Sequence, residues 1–516
     1  MNGMALRFWF LLAVGTLLVC FDDAANAATT SPAFPVTVNS NKRYLVDHAG
    51  NPFIMVADAP WMLPLLNPTD LATYLNDRQA KGVNALVVDI PYHDLSVNSG
   101  SMANYNGDLP FTGVAFASPL NPAYWTYVDT IVAQAAARGM LLIFFPAYLG
   151  YAGDGSQGVY LMMEAAGNAN LAMYGTAIGT RYKNSANILW CVGGDYNPVD
   201  MTSSVAVVTA MRAAGATQIW TSHASMGTTG RTEWPPSSYP WAVIDSIYDW
   251  PDSATPFAWS QINADYLLTN PTMPILMVEG EYEHNPDGTT NQQVRQEMYE
   301  PVLSGSLTGY VYGNDNLWRF APGWQAELNS QGGQDLARSS AFFRSRTWWK
   351  LVPDDVPGGV AGTFITSNNG WSNSWSWISG AVASDGSWGA AYFPAFSAAT
   401  FALKNFAAPV HIYWWDPTSG SIKNVVLSQP NSGSLTVSTS PGANSAGSTD
   451  WLLVFETSQG TPVPAFPAKG RPLAIAATAL TCVLAKLRQC RRARHGSGPT
   501  TGTRTARWRS SGLEPH

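Results

Sequence analysis

Eight short apolar runs, each followed by a stretch of helical pattern, most constrain what this chain can fold into. They read FIMVAD (53–58), ALVVDI (85–90), LLIFFP (141–146) and ILWCVGGD (188–195), then QIWTSHA (218–224), AVIDSIYDW (242–250), PILMVEGEYE (274–283) and GYVYG (309–313). Most are apolar on both faces, as strands of a parallel sheet covered by helices must be. Two intervening helices carry their own punctuation. In NPTDLATYLNDRQAKGVN, Asn67 is the expected N-cap, Pro68 opens the first turn, and Asp70 lies three residues after the cap. Leu71, Tyr74, Leu75 and Arg78 then share one face. NPAYWTYVDTIVAQAAARGM repeats the logic, turning Trp125, Val128, Ile131, Val132 and Ala135 inward and ending on Arg138-Gly139. The pattern predicts an α/β fold, a (β/α)8 barrel of the TIM type over residues 36–353. An open doubly wound sheet is the alternative. The lack of a Gly-rich phosphate loop after the first run weakens it.

The text changes at TWWKLVPDDVPGG, around 347–358. Short alternating segments follow, among them WGAAYFPA, ATFALK, VHIYWWDP, IKNVVLS, SLTVS and WLLVFE, separated by Gly, Ser, Asn and Pro. This predicts a C-terminal antiparallel β-sandwich domain over 354–458. Residues 459–516 form a low-complexity basic tail with an apolar patch from Pro472 to Ala485, short for a membrane span. The tail reads as disordered, as a weak membrane anchor or as an artefact of the gene's reading. At the other end, Arg7, the apolar stretch from Phe8 to Phe21 and Ala25-Asn26-Ala27 read as a secretory signal over 1–27. A secreted or periplasmic protein is expected, with surface attachment only through the tail.

Of four cysteines, only Cys191 lies in the body, so neither a disulfide framework nor a cysteine metal site is implied. Ten of the 28 Lys and Arg residues, but one acidic residue, fall from Lys469 onward. The remaining body has 18 basic against 34 acidic groups, which argues against nucleic acid as the main partner. With 21 Trp, 21 Tyr and 20 Phe the chain is aromatic-rich, and this leans mildly toward carbohydrate.

Barrel enzymes carry their chemistry where strands end. The polar strand-end residues here are Asp58, Asp89, His93, Tyr148, Asp195, His223 and Asp249, with Glu279, Glu281 and Glu283 on the seventh run. Asp195 and Glu279 are the informative pair, because the ends of strands four and seven face each other across a barrel mouth. Two facing carboxyls are the equipment of a glycosidase. Gly193 and Gly194 are expected to spare the sugar from crowding and to let the backbone turn Asp195 into the cleft. Taken singly, each residue also has a bland reading: Asp after Gly-Gly is often a turn or capping residue, and a lone His is more often structural than catalytic. Strand alternation would crowd the three glutamates on one side, so a bulge or turn is expected between them.

Several motifs, in order, resemble the apiosidase-like glycoside hydrolases. The opening RYLVDHAGNPFIMVADAPWMLPLLNPTDLATYLNDRQAKGVNALVV is similar to that family's first strand and helix. ILWCVGGD resembles its strand-four motif, PILMVEGEYEH its E-x-x-Y-E strand-seven motif, and GYVYGNDNLWRF its segment ending in Trp318. AAYFPA, IYWWDPTSG and DWLLVF resemble the sandwich that follows, often labelled a collagen-binding domain. The resemblance implies a barrel hydrolase of plant-type glycans, β-linked apiose of pectic side chains being the best-known substrate. It implies Asp195 as acid/base and Glu279 as nucleophile, with Asp58, Trp61, Tyr282 and His223 lining the sugar subsite; Tyr148, at the end of the third run, and Trp318 are further candidate sugar-binding residues. Ala59, Gly280 and Glu281 depart from the family pattern, which leaves the particular sugar open.

The expected chemistry is retaining hydrolysis, with carboxyls about 5–5.5 Å apart rather than the about 6.5–9.5 Å of inverting enzymes. No cofactor or metal is expected: the chain has no HExxH or calcium-loop spacing, and no GxSxG elbow. The rival is a catalytically inactive glycan- or matrix-binding protein.

Overall fold

The computed structural model describes residues 32–92, 101–151, 157–250, 258–354, 364–367 and 375–457. The secretory signal, His93, Cys20, Cys482, Cys490 and the basic tail lie outside the described residues. All eight runs form strands: β1 (Met55–Asp58), β2 (Ala85–Asp89), β3 (Leu141–Phe145), β4 (Ile188–Gly193), β5 (Trp220–His223), β6 (Asp245–Tyr248), β7 (Ile275–Glu279) and β8 (Gly309–Asn314). They pair in parallel in the order β5-β4-β3-β2-β1-β8-β7-β6. The remaining seam, between β5 and β6, is joined by a bridge from Trp220 to Ala242. There the Thr221 hydroxyl also donates to the Ile244 carbonyl at 3.1 Å. The sheet is therefore a nearly closed eight-stranded parallel barrel.

Helix α1 (Pro68–Ala80) starts as its sequence dictates. The Asn67 side chain accepts from the backbone N–H groups of Thr69 (2.9 Å) and Asp70 (3.0 Å), and Leu71, Tyr74, Leu75 and Arg78 are buried. Helix α2 (Pro122–Ala136) is capped by Asn121 in the same manner. Strand parity separates two cores. Met55, Ala57, Ala85, Val87, Leu141, Ile143, Leu189, Cys191, Leu276 and Val311 fill the barrel interior. Val56, Leu86, Val88, Leu142, Phe144, Trp190 and Met277 pack outward under the helices. Both faces are buried, which is why the runs read as continuously apolar. Cys191 serves as a small interior hydrophobe, and burial pushes its thiol well above the usual range.

The chain leaves the barrel after α3 (Asn291–Ser304), β8 and α4 (Gln331–Arg344), and builds two antiparallel sheets. The larger contains β9 (Leu351–Pro353), β11 (Ser379–Ala383), β12 (Trp388–Phe393), β14 (Val410–Trp415), β15 (Ile422–Gln429) and β17 (Trp451–Thr457), in the order β9-β11-β12-β17-β14-β15. The smaller is β10 (Ile365–Ser367), β13 (Ala399–Ala402) and β16 (Ser434–Val437). Period-two alternation divides the large sheet's side chains between two partners. Trp388, Ala390, Tyr392, Tyr413, Trp415, Leu452 and Val454 join the barrel's outer core. Ala391, Phe393, Ile412, Trp414, Trp451, Leu453 and Phe455 pack with the small sheet. Tyr392 stacks on Tyr299 of α3 (5.7 Å between centroids, 12°), and Trp415 meets Phe342 of α4 at 4.8 Å. Barrel and sandwich thus share one continuous apolar core.

Candidate active site

The C-terminal ends of the strands surround a cavity of about 360 Å³. Trp61, Tyr148, Tyr248, Trp250, Tyr282 and Trp318 form its walls, and Asp89, Asp195, Glu279, Asp315 and Arg319 supply its charges. Asp195 and Glu279 meet here as their strand positions predict. An oxygen of each lies within 4.8 Å of the other, with a His223 nitrogen inside the same radius.

Glu279 reaches the mouth through a register break. The β7–β6 pairing slips between Met277 and Glu279, so Glu279 turns toward the cavity although its neighbour Val278 already faces in. The three glutamates then part, as expected from their crowding. Glu281 turns to accept from the Thr289 hydroxyl. Glu283, in a two-residue strand (Tyr282–Glu283) paired with β8, faces out and accepts from the Gly332 N–H at 2.9 Å, at the start of α4. Gly280 has its own reason here. A Cβ at this position would lie 2.4 Å from the Glu297 carboxyl, whose other contact is the Glu281 N–H at 2.7 Å.

Glu279 is held from two sides. Its Oε1 accepts from the Tyr282 hydroxyl at 2.6 Å, and that hydroxyl accepts from the Trp61 indole N–H at 2.5 Å. Its Oε2 faces His223 Nε2 at 2.8 Å. Burial, then the nearby carboxyl charges, push the Tyr148, Tyr248 and Tyr282 phenols well up, so they stay protonated donors.

The paired glycines act differently from the sequence expectation. A Cβ on Gly193, whose φ is +105°, would sit 2.0 Å from the His223 carbonyl oxygen, and one on Gly194 would sit 3.0 Å from the Tyr148 ring. The absent side chains make room for the neighbouring strand and an aromatic wall, not for a sugar. They do let the chain turn at the end of β4 and deliver Asp195 to the cavity.

Two expected sugar-binding residues stand elsewhere. Asp58 follows Ala57, which points inward, so Asp58 points outward to α1. There it pairs with Arg78 and accepts from the Tyr74 hydroxyl at 2.6 Å, all three buried. It braces strand to helix and does not line the cavity. His223 is fully buried beneath the carboxyls rather than on the wall. Trp61, Tyr148, Tyr282 and Trp318 do line the cavity. Asp249, the polar end of β6, turns away and accepts from the Ala258 N–H, while Tyr248 and Trp250 on either side of it face the mouth. Those two, with Asp315 and Arg319 (2.9 Å apart), were not singled out from sequence. Alternation in SIYDW was the available signal for Tyr248 and Trp250.

Burial, and then the charge of Glu279, push the Asp195 carboxyl up to about 7, against the opposing pull of His223 and of hydrogen bonding from Tyr148 and Tyr248. Asp195 therefore holds its proton to near neutrality. A reaction that uses this proton is expected to lose kcat/KM as pH rises through about 7. A pH–rate profile checks this, and a rate constant flat to about pH 9 contradicts it. Stability should drift the same way. Burial pushes Asp249 to about 8 and raises Glu297 and Glu300. Between the unfolded value near 4 and these folded values the native state binds the extra protons. The stabilising contribution of Asp249 is thus whole in acid and lost as pH climbs through about 8, and those of Glu297 and Glu300 fall in the same direction, so melting temperature should decline as pH rises over that window.

Asp195, His223 and Glu279 also form the one group of metal-capable side chains within reach of a common point among the described residues. Each ring nitrogen of His223 already faces a hydrogen-bond acceptor, which does not suit a neutral metal ligand.

A parallel barrel with two carboxyls meeting at the ends of β4 and β7 is the architecture of a glycoside hydrolase. Residues 39–350 match the family described as apiosidase-like, catalytic domain. The chain belongs to that family. Among solved structures, a glycoside hydrolase family 5 protein from Bacteroides vulgatus is 20% identical, aligns over 84% of this chain and 96% of its own, and superposes with a TM-score of 0.70. A second glycoside hydrolase is 20% identical over 83% of this chain and 97% of its own, with a TM-score of 0.69. At such identity the likeness concerns the fold. No curated protein matches the sequence.

Proposed function

We propose that this glycoside hydrolase is secreted and cleaves an O-glycosidic bond in a plant- or microbe-derived glycan by a retaining two-carboxylate mechanism. The observation that carries the reading is the pair itself: carboxyl oxygens within 4.8 Å, with one of the two groups raised to about 7. Two charges so close are costly, so one proton stays. Tyr282 and His223 hold Glu279 as an acceptor, and Asp195, raised by burial and by the Glu279 charge, keeps the proton. That spacing leaves room for a sugar carbon and little room for a water between carboxylate and ring, which favours direct attack. Asp195 gives its proton to the leaving oxygen while Glu279 bonds the anomeric carbon. Asp195 then takes a proton from the water that opens the glycosyl-enzyme. The aromatic walls suit the C–H faces of a sugar ring.

The test is hydrolysis of a panel of plant and bacterial glycans, with the anomeric configuration of the first-formed product read by NMR. Retention is expected. Inversion overturns the mechanism, and ligand binding without any hydrolysis overturns the enzymatic reading.

A further inference from the structure

His223 is fully buried and does not line the cavity, yet it lies against both carboxyls, 2.8 Å from Glu279 and 3.7 Å from Asp195. We propose that His223 is a permanent imidazolium, a positioning residue that keeps Glu279 ionised and aimed while the site's single mobile proton rests on Asp195. The inference rests on the glycosidase reading above.

The geometry fixes the protons. His223 Nδ1 faces the Ala224 carbonyl oxygen at 3.1 Å and Nε2 faces Glu279 Oε2 at 2.8 Å. A carbonyl and a carboxylate only accept, so each ring nitrogen must carry a hydrogen. A neutral imidazole has one to offer. Asp195 Oδ1 lies 3.7 Å from Nδ1, so the ring stands between the two carboxyls. Its other neighbours cannot supply the missing charge balance. Trp61, Phe145 and Tyr248 pack around it, with ring centroids 6.1, 6.0 and 5.1 Å away. Around the pair, the phenols of Tyr148, Tyr248 and Tyr282 keep their protons. Arg319, at the cavity, is paired with Asp315. Burial works to discharge His223, and the Glu279 hydrogen bond with the two carboxyl charges outweighs it, leaving the ring above its ordinary value.

Charge then balances in both halves of the reaction. At rest the trio is a neutral Asp195, an anionic Glu279 and a cationic His223. In the glycosyl-enzyme Glu279 is an ester and Asp195 has lost its proton to the leaving group. The same cation now faces the Asp195 anion. One fixed charge serves whichever carboxyl is ionised.

The experiment has two readouts. First, 15N NMR of the histidine side chains should show both His223 nitrogens protonated from about pH 5 to about pH 8, the signal being assigned by its loss in His223→Gln. A single-proton tautomer below about pH 7 overturns the proposal. Second, in His223→Gln a donor remains without the charge. The acid limb of kcat/KM should move up by about one pH unit or more, with kcat lowered at least about tenfold and KM little changed. A profile superposable on the wild type overturns it. If His223→Gln does not fold, Glu279→Gln serves for the spectrum. There the amide removes one acceptor, and the His223 signal should begin to titrate; a ring that stays doubly protonated and silent would count against the pairing. A wild type inactive on every glycan removes the glycosidase reading, while the spectrum alone still decides the charge of His223.

Discussion

Glu279→Gln should lower kcat on the order of 10⁴-fold or more, and Asp195→Asn should produce a loss that depends on the leaving group. The two outcomes differ because the two carboxyls do different work. An amide at 279 cannot form the ester, so no substrate escapes the loss. The Tyr282 hydroxyl can still donate to the amide oxygen, so the strand end should keep its shape. An amide at 195 cannot deliver a proton. For a sugar or alkyl leaving group the general acid contributes about 10²- to 10⁴-fold. An activated aryl glycoside departs without that help, and the first step should then survive. Rates on paired substrates, with melting curves as a folding control, separate the roles. Equal losses on both substrates in Asp195→Asn would remove it as the acid. More than about one per cent residual activity in Glu279→Gln would remove Glu279 as the nucleophile.

The barrel was legible because parallel strands under helices must be apolar on both faces. The runs from Met55 to Asn314 carry that mark. Asp195 and Glu279 were legible for a related reason: charged residues ending such runs have few places to go but the mouth. What the sequence could not supply was parity at the last residue of each strand. Asp58 sits one step past an inward Ala57 and so belongs to α1, whereas Glu279 is rescued for the cavity by a register slip that no pattern announces. The glycines were read as space for substrate, but the space at Gly193 is taken by the carbonyl of His223, a contact between chain segments thirty residues apart. His223 itself looked like a wall residue. Its role depends on which atoms lie at each ring nitrogen, and only three dimensions give that. The sandwich segments read as alternating strands, yet the large sheet buries both faces, one on the small sheet and the other on the barrel, a covering that only the structure reveals.

That shared core is tied by buried ions, and breaking them should have the largest effect on stability. Arg295 of α3 is fully buried and bridges three segments. It donates twice to Asp450 (3.0 and 2.7 Å), just ahead of β17, and once to Asp335 of α4 at 3.0 Å. Asp450 also accepts from the Tyr392 hydroxyl (3.0 Å) and the Asn444 amide (2.9 Å). Burial already pushes Asp335 up to about 6 against the pull of Arg295 and Arg338. Arg295→Met keeps the side-chain bulk but removes the cation, leaving Asp450 buried without a counter-ion and Asp335 with Arg338 alone. Removing one partner of a buried pair costs about 3–5 kcal/mol, because the remaining charge has lost its solvation and its counter-ion together. The melting temperature should fall by many degrees at neutral pH, and by less in acid, where these carboxyls can take protons. Calorimetry at two pH values measures both. Adding Asp450→Leu to Arg295→Met should recover part of the loss, since it removes a stranded charge. A single variant that costs under about 1 kcal/mol would show that water reaches this interface and that the sandwich is held to the barrel by its apolar contacts alone.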